Sequence, residues 1–266
     1  MAALSDECCS SSLEHEELNA VIEELSNIPV DPPSKRELCN NCSRPVSVCW
    51  CAYLPVTPLN IKSKLIILQH PSEEKRCLRT AKILELSLAS GRCKVIKGKK
   101  FSLNKNVELR DLVGTSQKTL LLFPSTDSVE LTNVDLSVPH NVVIIDGTWS
   151  QARAMYNSSP DIHSFTKVEI NVGKPSNYVI RTQPTEECLS TVETAAITLS
   201  YLESNPNIYE ILTKPLEALC SFQLKHGAVH HFSKEYLILN GLYKKPITRR
   251  IKKKLRKHQD IKNYIR

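Results

Sequence analysis

Glycine is scarce in this chain, with 7 residues in 266 against 15 prolines. That ratio excludes collagen-like and glycine-rich low-complexity architectures. It also leaves little material for glycine-loop nucleotide sites. No GxGxxG follows a predicted strand, and neither GxxxxGK[ST] nor GxSxG occurs. A Rossmann dinucleotide site, a P-loop and a hydrolase nucleophile elbow are therefore disfavoured. No apolar run approaches the roughly 20 residues of a membrane-spanning helix, and Met1 to Ser12 lacks the basic flank and apolar stretch of a signal peptide. The expectation is a chain of the nucleus and cytoplasm, with no membrane association and no protein partner indicated.

Charge is missing in a patterned way. Residues 1–34 hold eight acids and no Lys or Arg, whereas residues 244–266 hold eleven Lys or Arg and a single Asp. An acidic head and a basic tail thus flank a mildly basic body. Such a tail reads as contact with a polyanion, as a nuclear import signal, or as both. Its densest part contains Arg249, Arg250, Lys252, Lys253 and Lys254, and each phosphate neutralised there would make binding salt-sensitive. The head has apolar residues at helical spacing (Leu18, Val21, Ile22, Leu25) within a short helix over Leu13 to Leu25, ended by Asp31-Pro32-Pro33-Ser34. Residues 1–35 are otherwise expected to be flexible.

Ten cysteines are present, and four of them, Cys39, Cys42, Cys49 and Cys51, fall within thirteen residues. In a reducing compartment, clustered thiols read as metal ligands and scattered ones as small buried hydrophobes. Cys39-x2-Cys42-x6-Cys49-x-Cys51 offers four soft ligands to a tetrahedral structural zinc, although Cys49-Trp50-Cys51 is tighter than a standard CxxC. The plainer alternative is a set of incidental thiols in a partly buried loop. This cysteine module spans residues 36–58.

From Lys64 onward, strands alternate with helices. Strands are expected at Leu65–Leu68, Cys93–Ile96, Leu120–Phe123, Val142–Ile145, Lys167–Ile170 and Tyr178–Ile180. Helices are expected at Leu78–Leu88, Trp149–Tyr156, Ser190–Glu203 and Asn207–Leu224. The third of these helices opens with a Ser190-x-x-Glu193 capping box. Continuous apolar strands between helices predict an α/β domain with a largely parallel sheet. In such sheets, ligands bind beyond the carboxyl ends of the strands. The chemically capable residues sit there: Gln69-His70-Pro71, Pro124-Ser125-Thr126, Asp146-Gly147-Thr148-Trp149 and Arg181-Thr182-Gln183-Pro184.

Each of these admits a bland account. Asp146 or Thr148 can be a helix cap and Trp149 a core residue. His70 can be a satisfied hydrogen-bonding group at a strand end. Arg181 can clamp a carboxylate or phosphate, or pair with a surface acid.

Taken together, the motifs resemble the DTW-domain family, the tRNA-uridine aminocarboxypropyltransferases, in its eukaryotic branch. The resemblance rests on Cys39-Asn40-Asn41-Cys42-Ser43-Arg44-Pro45 with Cys49-Trp50-Cys51, and on Gln69-His70-Pro71-Ser72-Glu73 with Arg79-Thr80-Ala81. It continues through Leu122-Phe123-Pro124, Ile145-Asp146-Gly147-Thr148-Trp149-Ser150-Gln151-Ala152, and Tyr178-Val179-Ile180-Arg181-Thr182-Gln183-Pro184 with Leu189-Ser190-Thr191-Val192-Glu193. It ends with Cys220-Ser221-Phe222-Gln223-Leu224 and Asn240-Gly241-Leu242-Tyr243. Trp50 departs from the pattern, where the family more often has Leu.

The resemblance implies a fold related to the SPOUT methyltransferases over residues 59–243, with a C-terminal part threaded into a trefoil knot, one of the rare exceptions to unknotted connectivity. It implies S-adenosylmethionine as co-substrate and transfer of its 3-amino-3-carboxypropyl group to N3 of a tRNA uridine, releasing methylthioadenosine. Asp146 is then the candidate base or orienting group, with Thr148 and Trp149 at the uracil. Leu122, Phe123, Pro124, Gly147, Arg181, Leu189, Ser190, Thr191 and Glu193 are expected around the cofactor. His70 and the basic tail are expected on RNA. A methyltransferase of the same fold, a related family acting on ribosomal RNA, and a non-catalytic zinc-bearing RNA-binding module are the alternatives.

Overall fold

The computed structural model describes residues 10–27, 36–114, 117–171, 173 and 175–247. The basic run Arg249, Arg250, Lys252, Lys253 and Lys254 lies outside them. Helix α1 (Ser10–Ser26) falls in the first of two compact units, and the body is the second. It contains the expected helix, and Leu18, Val21, Ile22 and Leu25 are exposed along it.

The body is built on six strands: β1 (Lys64–Gln69), β2 (Cys93–Lys97), β3 (Lys118–Leu122), β4 (Val129–Glu130), β5 (His140–Asp146) and β6 (Thr166–Glu169). They form one sheet in the order β2-β1-β5-β3-β6-β4, with every pairing parallel. The helices are α2 (Pro71–Glu74), α3 (Ala81–Ser87), α4 (Val107–Val113), α5 (Trp149–Asn157), α6 (Thr191–Leu202), α7 (Asn207–Lys225) and α8 (Lys234–Leu239). Among the described residues, no helix is long and apolar enough to cross a membrane.

The continuous apolar runs are explained by burial on both faces. Leu65, Ile67, Leu120, Val142, Ile144 and Val168 point into a core shared with α3, α6 and α7. Their neighbours Ile66, Leu68, Leu121 and Val143, with Ile96, join Phe101, Leu109, Met155 and Ile162 in a second core on the opposite face. Because side chains alternate along a strand, a one-residue slip would exchange the two sets. Register is thus fixed by two cores at once.

Three departures from the sequence reading have physical reasons. Tyr178–Ile180 is a turn instead of a strand. Its backbone bonds locally and to the C-terminal segment: Val179 N–H donates to the Asn177 carbonyl at 2.9 Å, and His231 N–H donates to the Val179 carbonyl at 2.7 Å. Tyr178 and Ile180 are buried, so their alternation anchors a loop to the helical core. Helix α3 begins three residues later than expected. Helices α2, α4 and α8 and strand β4 were not expected, being too short to show a period.

The cysteine loop packs into the first core. Trp50 is 1 % exposed and joins Cys42 among the residues of the α3–α6–α7 face. Tyr53 meets Phe222 of α7 edge-on, with ring centroids 6.1 Å apart. Elsewhere, Lys234 N–H donates to the Gln183 carbonyl at 2.8 Å and Glu235 N–H to that of Pro184 at 3.2 Å, so the start of α8 is stitched onto loop 181–184.

Candidate active site

The parallel register sets Gln69, the last residue of β1, directly opposite Asp146, the last of β5. The Gln69 Nε2 donates to Asp146 Oδ2 at 2.9 Å, and the Thr191 hydroxyl donates to Oδ1 at 2.7 Å. The His70 N–H donates to the Asp146 carbonyl at 2.9 Å. Asp146 is therefore held in one orientation from three directions while remaining 6 % exposed. Thr191 is the first residue of α6, whose N-terminus favours a carboxylate beside it.

Gly147 is needed for close packing. A Cβ there would lie 3.2 Å from Gln151 Cβ and 3.4 Å from His70 Cβ, so the space is already committed to α5 and the β1 loop. Thr148 caps α5: its hydroxyl accepts from Gln151 N–H at 3.3 Å, and its own N–H donates to Gln151 Oε1 at 2.8 Å. The capping account thus holds for Thr148. Trp149, by contrast, is not a core residue, being 38 % exposed at the first position of α5. An exposed indole beside a buried carboxylate offers a flat surface on which a planar base can stack.

The remaining expected residues divide by location. His70 caps α2, its Nδ1 accepting from Ser72 N–H at 3.2 Å, which leaves Nε2 to carry the ring proton. Phe123 stacks on Tyr156 of α5 at 4.3 Å, whereas Leu122 packs toward the α3–α6–α7 core and Pro124 is exposed. Leu189 is half-buried before α6, and Ser190 and Glu193 form the expected capping box. The Glu193 carboxylate, 1 % exposed, accepts from the Ser176 hydroxyl at 2.6 Å, Asn177 N–H at 2.7 Å and Ser190 N–H at 2.8 Å. It therefore pins the turn before Tyr178 to the start of α6. Arg181 is half-buried on that same loop.

Two residues at this rim were not assigned a role from sequence. Gln69 stands in a strand-end loop and opens the Gln69-His70-Pro71-Ser72-Glu73 motif, without a role of its own. Glu73 lies in α2 and is 7 % exposed. Burial pushes its proton affinity up and the charge of Asp146 pushes it further, while Arg76 and Arg181 pull it back. Its Oε2 pairs with Arg76 Nε at 3.3 Å. The motif Gln69-His70-Pro71-Ser72-Glu73 includes Glu73 and stops before Glu74, but residue type alone does not separate the two; Glu74 is exposed and paired with Lys97.

The four clustered cysteines converge as well. Their Sγ atoms all lie within 4.8 Å of one another, with Cys39 and Cys51 3.7 Å apart and Cys42 and Cys49 3.6 Å apart. Tetrahedral zinc with Zn–S near 2.3 Å sets its sulfurs about 3.8 Å apart, so the donor set fits that ion. The spacings are far too long for disulfides, and the described cysteines are free thiols. The Cys42 and Asn41 N–H groups, aimed at Cys39 Sγ, hold its thiol down at about 6. The Cys42 knuckle turns through Ser43 at φ +58°, and Ser43 N–H closes it onto the Cys39 carbonyl at 2.8 Å. Arg44, buried beside it, donates through Nε to the Val48 carbonyl at 3.2 Å and through Nη1 to that of Cys77 at 3.4 Å. The loop is thereby tied to the segment that follows α2. Cys77 itself is exposed, unlike the buried scattered thiols expected.

The chain is an α/β protein with a parallel six-stranded sheet, and its candidate site residues gather at the carboxyl ends of the strands. The DTW domain model matches residues 36–224, and the chain belongs to the DTW-domain family. It is 50% identical over 234 residues to tRNA-uridine aminocarboxypropyltransferase 2 of Drosophila melanogaster, covering 88% of this chain and 93% of that protein. It is 45% identical over 245 residues to the Mus musculus protein of the same name, covering 91% of this chain and 82% of that one. It is 26% identical over 227 residues to tRNA-uridine aminocarboxypropyltransferase A of Arabidopsis thaliana, covering 74% of this chain and 84% of that one. No solved structure matches the chain.

Proposed function

We propose that this chain transfers the 3-amino-3-carboxypropyl group of S-adenosylmethionine to N3 of a uridine in tRNA, releasing methylthioadenosine. The observation that carries the reading is the convergence of Gln69, Asp146, exposed Trp149 and Thr191 at the carboxyl end of the sheet, in a chain so close to transferases of that name. The co-substrate supplies an electrophilic carbon beside its sulfonium. The N3–carbon bond forms as the carbon–sulfur bond breaks, and the electron pair goes to sulfur. The N3 proton must leave, and Asp146 is positioned to take it or to orient the imide. Each of its oxygens already accepts one hydrogen bond and keeps a second lone pair. Trp149 stacks on the uracil, and the target base reaches it from a loop, since a paired base cannot present N3.

A cationic co-substrate fits a rim where two buried carboxylates, Glu73 and Asp146, meet. Leu122, Phe123, Pro124, Gly147, Arg181 and the start of α6 from Leu189 are read as its surroundings. The fold is read as SPOUT-related and knotted, with support from the way His231, Lys234 and Glu235 bond back across loop 179–184. Zinc in the cysteine cluster is structural, since four sulfurs leave no open position. The basic tail and His70 contact the RNA, and the chain works in the nucleus and cytoplasm.

The test compares S-adenosylmethionine labelled in the methyl group with the same compound labelled in its amino-acid carbons. Transfer of the amino-acid label to tRNA, with methylthioadenosine released, is expected. Transfer of the methyl label would mean a methyltransferase, and transfer of neither would leave a non-catalytic RNA-binding module.

A further inference from the structure

Glu73 carries a carboxylate in a setting that carboxylates avoid. It is 93% removed from solvent, being 7 % exposed. Its Oε2 faces Arg76, yet its Oε1 is buried and accepts no hydrogen bond among the described residues. Buried polar atoms are nearly always paired, and an exception calls for a ligand, a water or a catalytic role. Asp146 sits close enough to oppose the Glu73 charge, and Arg181 close enough to favour it. Three chain segments thus bring two carboxylates and two guanidinium groups to one rim: the loop after β1, the end of β5, and loop 181–184.

The missing partner has a definable chemistry. It must donate to Oε1, and it is best positively charged, because a second negative charge already stands beside Glu73. A water satisfies the first condition only. An ammonium group satisfies both, having three donors and no acceptor. An α-amino acid brings such a group together with a carboxylate on the same carbon, and the half-buried Arg181 guanidinium suits that second pole.

We propose that Glu73 is the acceptor for the α-ammonium group of the co-substrate's amino-acid end, with Arg181 facing its α-carboxylate. This rests on the transferase reading above and deepens it. The group being transferred is that amino-acid chain, whose reacting carbon lies two bonds from the α-carbon. Gripping the α-carbon substituents therefore orients the reacting carbon toward the base, whereas a methyl donor held only by its nucleoside would present the sulfonium methyl as readily. Fixing the reacting atom in this way is a positioning effect.

The experiment is calorimetric titration of the full chain, wild type and Glu73→Gln, with S-adenosylmethionine and separately with methylthioadenosine. The second ligand has the nucleoside and sulfur but no amino acid. Loss of one charge-assisted hydrogen bond should weaken S-adenosylmethionine roughly 10- to 100-fold. Methylthioadenosine should bind both proteins alike, which also shows that the variant is folded. Glu73→Asp should fall between the two. Equal weakening of both ligands, or of neither, would overturn the assignment. If Glu73→Gln binds both ligands normally and still transfers the amino-acid label, the assignment fails while the transferase reading stands. Wild type that binds neither ligand overturns both.

Discussion

Asp146→Asn separates the charge of the carboxylate from its shape. The amide oxygen can keep the hydrogen bond from Gln69 Nε2, now 2.9 Å long, while the amide nitrogen donates to the Thr191 oxygen, now 2.7 Å away, once that hydroxyl turns. Both contacts survive, but each changes from charge-assisted to neutral, a loss of about 1 kcal/mol apiece. Removing a buried negative charge beside Glu73 offsets part of that. The net cost is at most about 2 kcal/mol, or a fall in Tm of no more than roughly 4–8 °C for a body of this size. Turnover should fall far more, by roughly 10²- to 10⁴-fold if the carboxylate assists proton removal. The assay is single-turnover transfer of amino-acid label to tRNA at saturating co-substrate, with a thermal melt on the same samples. Full activity in the variant would remove Asp146 from the chemistry. A loss of activity matched by a collapse in Tm would make it a structural residue, refuting the reasoning from the other side.

Purified protein should carry one zinc per chain. Because Cys42 and Trp50 belong to the main core, a strong chelator or Cys49→Ser should lower the single melting transition of the body instead of releasing a separate module. Elemental analysis without stoichiometric metal, or a melt indifferent to chelator, would contradict this. Glu193→Ala should destabilise by about 2–4 kcal/mol in denaturant titration, since it orphans the buried Ser190 N–H and the part-buried Ser176 hydroxyl and Asn177 N–H together. Ser190→Ala should cost only about 1 kcal/mol as a lost cap; equal effects would refute the network's importance. Removing residues 244–266 should weaken tRNA binding and flatten its dependence on salt, measured by titration at several ionic strengths. An unchanged slope would make the tail an address signal.

What the sequence determined by itself was periodic or closely spaced. The apolar runs of β1, β3 and β5 announced doubly covered strands. The Ser190-x-x-Glu193 spacing announced the start of α6, and the cysteine spacing announced a four-sulfur cluster. Each of these depends on neighbours within a few positions, so local residue type carries the information. The tertiary structure decided the rest because the partners are distant along the chain. Asp146 meets Gln69 across 77 positions and Thr191 across 45, and no local pattern records either meeting. Tyr178–Ile180 alternates like a strand, yet its backbone found His231 and a local turn before it found a sheet edge. No local pattern records that Gln151 and His70 close on Gly147, where a Cβ would lie 3.2 and 3.4 Å from theirs. Glu73 and Glu74 are the same residue type side by side, and only the tertiary structure buries one side chain and leaves the other in water.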